Sequence, residues 1–278
     1  MSNPGKLFNK IGKRRWWQLG FLIGLNLFVY RVFNTAAAAS SRTRYMCAPI
    51  LNCHNCPAAL LACPIGVMAQ ASSIHVFPFV AVGLLLVGGV LAGRFLCGWV
   101  CPVGTIQELV YKARLLKFSI PKPLRYVKYL VLVLLVIVLP YILGEKSYGT
   151  WAYVCTYCPA STMIWGLPRV LFGLNWPSLG ALIVLGVTLV AMLFTFRPIC
   201  GVLCPIGAIY GLANRISFLS IKIDREKCNS CNKCVKSCPA GVNPLEDPRS
   251  GDCVYCLECF QCDHLKVNFS EGCFARAD

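Results

Sequence analysis

Residues 130–139 read LVLVLLVIVL, ten apolar side chains without a polar one among them. A helix of that composition has no face to offer water, so it must lie among apolar helices or lipid. It belongs to one of four apolar stretches, at 17–38, 74–95, 127–144 and 179–196. Each is long enough to span a hydrocarbon core of about 30 Å. The first is the weakest, because Arg31 interrupts it. Charged residues make up 14% of the chain, against about 25% in a soluble domain. The expectation is a mainly α fold with a four-transmembrane-helix membrane domain over residues 1–220 and a small domain over 221–278.

The start of the first stretch has a second reading. GKRRWWQLGFLIGLNLF followed by AAAAS has the basic and small-residue regions of a signal peptide, and Arg14–Arg15 resembles a twin-arginine signal. The apolar run is longer than an ordinary leader, and an uncleaved helix anchored by Trp16 and Trp17 fits the charge pattern better. Lys6, Lys10, Lys13, Arg14 and Arg15 precede the first span, seven Lys/Arg lie between Arg94 and Lys128, and ten follow from Arg197 onward. Residues 41–72 and 145–177 carry two each. Basic residues mark the cytoplasmic side. The N-terminus, the loop after the second span and the tail are therefore placed inside a bacterial or archaeal cytoplasmic membrane, multi-pass. This distribution also accounts for the net charge of +16 without nucleic acid. The basic loop YKARLLKFSIPKPLRYVK reads as a solvated juxtamembrane segment.

Nineteen cysteines demand either disulfides or metal sites, and spacing separates the two. RFLCGWVCPVGTI from Arg94 repeats 103 residues later as RPICGVLCPIGAI from Arg197. CHNCPA from Cys53 repeats 102 residues later as CTYCPA from Cys155. The membrane domain is thus two parallel two-helix repeats, related by a pseudo-two-fold axis along the membrane normal. Near that axis Cys97 and Cys101 face Cys200 and Cys204 at the inner surface. Cys53 and Cys56 face Cys155 and Cys158 at the outer surface. Four converging thiolates suit an iron–sulfur cluster; four also suit zinc. In the oxidising outer compartment, disulfides or thiol exchange compete with a cluster. Cys47 and Cys63 have no repeat counterparts, since Trp165 stands where a partner of Cys63 falls. They pair with each other as a disulfide, or join Cys53 and Cys56 in a site built from the first loop.

The tail opens with CNSCNKCVKSCPAG from Cys228, the C-x2-C-x2-C-x3-C-P run of a two-cluster ferredoxin, whose fourth Cys serves the neighbouring cluster. One [4Fe-4S] cluster is assigned to Cys228, Cys231, Cys234 and Cys262. The other is assigned to Cys253, Cys256, Cys259 and Cys238. The second run is one residue short at Cys259–Cys262, and Asp263 replaces the usual Pro, so Cys273 is a substitute for Cys262. The small domain is read as a cytoplasmic 2x[4Fe-4S] ferredoxin-like α+β unit.

Over about residues 16–265 the chain resembles the NapH/NosR-type membrane polyferredoxins, a family that includes the methylamine-utilisation ferredoxin-type protein. The resemblance rests on C-G-x-x-C-P after two spanning helices and on the ferredoxin tail. It implies an electron-transfer subunit beside quinol or flavoprotein partners, with Cys97, Cys101, Cys200, Cys204 and the ferredoxin cysteines as cluster ligands. The outer C-x-x-C-P-A pair rests on the repeat instead.

No nucleophile–base pairing or phosphate loop is present, so any activity is oxidoreduction with partners. The expected function is electron transfer between the cytoplasmic clusters and the membrane or its outer face, toward a quinone, flavoprotein or periplasmic reductase. Two rivals are a transmembrane thiol–disulfide carrier and a cluster-containing assembly or redox-sensing factor. Almost no ionisable residue lies in the spans, which disfavours an ion pump. Haem is disfavoured too, because the three histidines are His54, His75 and His264, in loops and tail. His54, inside CHNC, could tune an outer cluster. One gap remains: about 30 Å of hydrocarbon separates the two faces, so either the clusters dip toward the midplane or a partner cofactor bridges them.

Overall fold

A computed structural model describes residues 4–25, 47, 49–51, 62–112, 118–144, 154–167, 170, 173, 176–223, 228, 231–261 and 265–269. The described chain is mostly helical. Helix α1 spans Pro4–Leu25, so the first apolar stretch is entered from a helix that begins well before residue 17; residues 26–46 lie outside the description. The short helix α2, Pro64–Ser73, leads into α3, Phe79–Ala92. Two further helices, α4 (Phe95–Trp99) and α5 (Pro102–Lys112), follow at the first C-G-x-x-C-P motif.

The helical run Pro123–Leu143, α6, contains the LVLVLLVIVL segment, most of it wound as a π-helix over Val131–Val138. Next come α7, Pro159–Ser161, which continues as a π turn over Thr162–Gly166, and α8, Leu179–Phe194. A π turn at Ile199–Leu203 then precedes α9, Pro205–Ala213.

Among the described residues, only α6 is both long and apolar enough to cross a membrane. α3 and α8 are equally apolar but have 14 and 16 residues, about 21 and 24 Å at 1.5 Å per residue. Local chemistry trims them below the apolar stretches at 74–95 and 179–196. α3 begins after Pro78 and stops at Gly93, whose φ of +54° lies in the left-handed region. Ser178 caps α8, its hydroxyl accepting from the Ala181 N–H at 3.3 Å.

Three helices show the same division of faces. Ala81 and Leu85 of α3, Val136 of α6, and Ala181, Leu185 and Met192 of α8 point inward and are buried. Phe79 and Val80, Leu130 and Ile142, and Leu179 and Val187 point outward and are exposed. An exposed apolar belt of that extent marks a membrane or protein contact. The inward faces meet Ala69 of α2 and Tyr210 of α9 in one core, which also holds Cys63, Cys97, Cys101 and Cys204.

The small domain begins at β1, Leu219–Ile223, which straddles the expected boundary at 220/221. β1 pairs antiparallel with β2, Leu265–Phe269, with Leu219 opposite Phe269. Between them lies α10, Lys233–Lys236. Its core of Leu219, Ile221, Cys234, Tyr255 and Cys259 packs against Ala92 and Phe95, so the small domain is seated on the ends of α3 and α4.

Candidate metal centre

The two C-G-x-x-C-P motifs fold alike. In each, the second cysteine precedes a proline that opens a helix, α5 after Cys101 and α9 after Cys204. Proline suits this first helical position, where its missing N–H is not needed. The cysteine carbonyl takes the first helical bond, from Thr105 N–H at 3.2 Å and from Ala208 N–H at 3.1 Å. Cys97, Cys101, Cys200 and Cys204 are all buried. Burial pushes the Cys101 thiol up to about 11, and Cys200 beside it adds to the rise. Cys97 and Cys204 are also raised, first through burial and then through the other thiols of the quartet. The structure therefore brings the four inner cysteines together.

The repeats lock each other through crossed arginines. Arg197, ahead of the second motif, donates to the Cys97 carbonyl at 2.6 Å and the Gly98 carbonyl at 3.3 Å in the first. Arg94, ahead of the first motif, donates to the Cys200 carbonyl at 3.2 Å and the Gly207 carbonyl at 2.8 Å in the second. Both guanidiniums are buried, and both lower the Cys97 thiol. They are the fixed positive charges of the site. Gln107, fully buried, donates from Nε2 to Cys200 Sγ at 3.1 Å and accepts the Ile199 N–H at 3.0 Å. Were Cys200 to hold a cluster, this hydrogen bond would be a lever on its potential.

Two acids balance the arginines. Glu108 accepts from Arg197 at 2.7 Å and from Arg14 of α1 at 2.6 Å. Burial raises its carboxyl, but the two guanidiniums outweigh that and hold it below the usual range. Asp252 of the small domain accepts from Lys128 at 3.0 Å, Arg125 at 2.8 Å and Arg94 at 3.4 Å. Arg125 and Lys128 belong to the basic loop expected to be solvated; they are instead part of this docking surface.

In the small domain, Cys228 and Cys231 stand close enough to raise the Cys234 thiol, after burial. Cys238 raises Cys253, which burial brings to about 11, and with Cys253 it raises Cys259, which burial brings to about 12. Cys253 also raises Cys256, where burial again dominates. The fourth cysteine of the first run thus lies with the second run. Cys262 and Cys273, the two candidates for the remaining ligand, fall outside the described residues. Asn232, Tyr255 and Leu257 hold positive φ between these cysteines. Left-handed residues alternating with right-handed ones turn successive N–H groups to one side, the nest that accommodates anionic clusters.

The two cysteine groups meet through backbone. A Cβ on Gly98 would overlap the Val254 carbonyl oxygen, so only glycine permits this approach. Trp99 Nε1–H donates to the Tyr255 carbonyl at 3.1 Å, and Arg14 donates to the Cys256 carbonyl at 2.7 Å. The stretch between Cys97 and Cys101 therefore touches the stretch between Cys253 and Cys256.

Of the cysteines expected at the outer surface, Cys155 lies in a turn at Val154–Thr156 and Cys158 precedes α7. Cys63 precedes α2, and Cys47 bridges to Ala62. Cys53, Cys56 and His54 lie outside the described residues. His75 stacks at a tilt on Tyr141, with ring centroids 4.5 Å apart.

Among the described residues, no three Cys, His, Asp or Glu side chains lie at the spacing of a single-ion site. The donor set fits a cluster on other grounds. It has four buried thiols, three of which, Cys97, Cys101 and Cys204, burial keeps protonated until metal displaces the protons, two buried cations beside them, and glycines that admit backbone closely. Sequence reasoning missed Arg94, Arg197, Arg14, Glu108 and Asp252 as site residues. The signal was present in the arginine that leads each R-x-x-C-G-x-x-C-P copy.

Comparison with known proteins adds relatives. A family model described as a 4Fe-4S binding domain matches twice, at residues 74–123 and 178–226. A second model of that description matches 220–243. An uncharacterized protein of Methanocaldococcus jannaschii is 30% identical over 191 residues, covering 65% of each chain. The ferredoxin-type protein NapH of Escherichia coli K12 is 34% identical over 189 residues, 61% of this chain and 59% of NapH. The regulatory protein NosR of Stutzerimonas stutzeri is 30% identical over 193 residues, 65% of this chain and 24% of NosR. The chain therefore spans less than two thirds of each of these relatives. No solved structure matches.

Proposed function

We propose, from the premise that this chain belongs to the NapH/NosR-type polyferredoxin family, that it is an electron-transfer subunit of a membrane-bound redox complex. In this reading the membrane domain is a four-span unit of two parallel repeats, with the N-terminus and ferredoxin tail in the cytoplasm. Cys97, Cys101, Cys200 and Cys204 hold a cluster at the inner face. Cys228, Cys231, Cys234 and Cys262 hold one ferredoxin cluster, and Cys238, Cys253, Cys256 and Cys259 the other. Bound there, [4Fe-4S] clusters supply one-electron redox chemistry. The electrons pass between the cytoplasmic tail and a quinone, flavoprotein or periplasmic reductase.

One observation carries this reading: the Gly98–Trp99 turn of the inner quartet is in direct contact with Val254 and Tyr255 of the second ferredoxin run. Two cysteine sets built for clusters are held against each other by buried backbone and by the Arg14–Glu108–Arg197 chain. A redox sensor or assembly factor has no need of a fixed junction between two cofactors. An electron conduit does.

The test is anaerobic purification of the full chain in detergent, with iron and sulfide counting and EPR. The reading expects at least about twelve irons per chain. Cys101→Ser should remove about four of them and one EPR signal while the ferredoxin signals stay. Zinc in place of iron, or alkylatable thiols at Cys97 and Cys204 in the intact protein, overturns it and leaves the thiol–disulfide carrier in first place.

A further inference from the structure

Four cysteines in the described chain are followed by a proline that opens a helix or helical turn: Cys63, Cys101, Cys158 and Cys204. Their geometry is the same. Cys63, Cys158 and Cys204 have φ/ψ of −68°/125°, −64°/115° and −77°/116°. In all four the cysteine carbonyl accepts the N–H four residues on, at 3.3 Å from Val67, 3.2 Å from Thr105, 3.1 Å from Thr162 and 3.1 Å from Ala208. Cys101 and Cys158 also share a threonine hydroxyl on that carbonyl, Thr105 at 3.3 Å and Thr162 at 3.2 Å. Two of these openings, at Cys101 and Cys204, belong to the inner quartet. The other two form a second pair built on the same plan.

That pair shares one core. α2, which Cys63 opens, packs against the Val154–Thr156 turn that carries Cys155. Cys63 is buried in the same core against which Cys155 and Cys158 pack. Cys47 is fixed beside Cys63 by its bridge to Ala62, the preceding residue. A fixed offset of 102 residues matches Cys158–Pro159 with Cys56–Pro57. Among the described residues, the backbone geometry of Cys158–Pro159 is matched by Cys63–Pro64.

The same segment runs deep. Ile50, Leu51, Ala62 and Cys63 are buried although 47, 49–51 and 62–63 are not helical. The Leu51 carbonyl lies 3.9 Å from Cys101 Sγ, and the Pro49 carbonyl accepts from Tyr210 Oη at 2.7 Å. Non-helical backbone at membrane depth is stable only when protein encloses it. Half-length helices that begin inside the membrane are a known way to build a site there.

We infer that Cys47, Cys63, Cys155 and Cys158 form a second cluster site inside the membrane domain, with an iron–sulfur cluster as its ligand. It lies outward of the inner quartet and within a few residues of it through Leu51. The inference rests on the electron-transfer reading above and supplies what that reading lacks, a relay into the hydrocarbon layer. Each transfer moves one electron, leaving the inner site oxidised by one and the second site reduced by one, with no proton.

The experiment compares the full-length wild type with Cys63→Ser, Cys158→Ser, Cys47→Ser and a Cys53→Ser/Cys56→Ser double variant, by metal counting and EPR. Wild type should hold about sixteen irons. Cys63→Ser, Cys158→Ser and Cys47→Ser should each lose about four with one signal, while the double variant keeps all of them. Loss in the double variant with retention in Cys63→Ser overturns the assignment in favour of the loop cysteines. Wild type at about twelve irons, or zinc at the site, overturns the second cluster altogether. The ferredoxin EPR signals report on folding in every variant, and the half-buried Cys158 keeps the test available if Cys63→Ser does not insert. Absence of the ferredoxin signals from wild type, by contrast, is the failure of the electron-transfer reading itself.

Discussion

The two halves of the inner quartet come from the same repeat, yet their surroundings diverge at matched positions. Arg197 and Arg94 are equivalent, and each reaches across to the other motif. Arg197 is balanced within the helical domain, by Glu108 of α5. The position equivalent to Glu108, 103 residues on, is Gly211. There the backbone of Gly251 packs close, and the counter-charge for Arg94 arrives from the small domain as Asp252. Gly98 and Gly201 are likewise equivalent. A Cβ at Gly98 would strike the Val254 backbone, while one at Gly201 would meet only the Ile120 Cδ1 at 3.0 Å. The symmetric part of the site is what holds thiols. The asymmetric part is where the ferredoxin docks, so each half has its own partner for its buried cation.

The largest effect should come from breaking the internal half. Glu108→Gln leaves Arg14 and Arg197, both buried, without their carboxylate. Removing one partner of a buried pair costs about 3–5 kcal/mol, enough to deplete folded protein in detergent thermal-unfolding assays. If Glu108→Gln is as stable as wild type, the two arginines are balanced by something else and the comparison fails. Next in size is Gly98→Ala against Gly201→Ala. Overpacking costs about 1–3 kcal/mol. At Gly98 the neighbour is backbone and cannot yield, so hydrogen exchange across residues 250–259 should rise sharply. Gly201→Ala should leave that exchange at the wild-type level, because the Ile120 side chain can turn away.

Much of this was legible in the sequence, and the part that was not has a physical reason. The inner quartet is visible because R-x-x-C-G-x-x-C-P occurs twice at one offset, and the repeat puts both copies at one end of the bundle. The second ferredoxin group is visible because the C-x3-C-P run hands Cys238 to its neighbour, and the structure places Cys238 near Cys253 and Cys259. The roles of Arg94, Arg197 and Lys128 were hidden because charge counting explains any cation on the inner side equally well. A buried cation and a solvated one look the same until the acid that faces it is located, and Asp252 lies 158 residues from Arg94. The three apolar helices were legible as apolar. Their ends were not, since a proline, a left-handed glycine and a serine cap decide them.

The docking half should give a smaller loss than the internal half. Asp252 keeps about a quarter of its surface, and Arg125 is likewise partly exposed. Solvent screens such pairs. Asp252→Asn should therefore leave the helical domain folded and weaken docking by about 1.5–3 kcal/mol, the range for a hydrogen bond to a charged group. Raised salt should weaken docking in wild type and change little in the variant, read by hydrogen exchange at 250–259. A salt response as strong in Asp252→Asn as in wild type would remove Asp252 from the docking surface.

The smallest predicted effect separates the two halves within the quartet itself. Gln107 donates to Cys200 Sγ, while its repeat equivalent, Tyr210, turns away to the Pro49 carbonyl. Only one half of the site therefore has a side-chain N–H aimed at a sulfur among the described residues. A donor to sulfur favours the more negative, reduced cluster, so Gln107→Leu should lower the midpoint potential of the inner cluster. A hydrogen bond worth about 1 kcal/mol corresponds to about 40 mV for one electron, given 59 mV per tenfold change. Tyr210→Phe should leave that potential near the wild-type value, because its hydroxyl bonds backbone and not sulfur. EPR-monitored redox titration of both variants decides the matter. Equal shifts in the two would mean that the potential follows the packing of the core, and the asymmetry of the halves would then end at the docking surface.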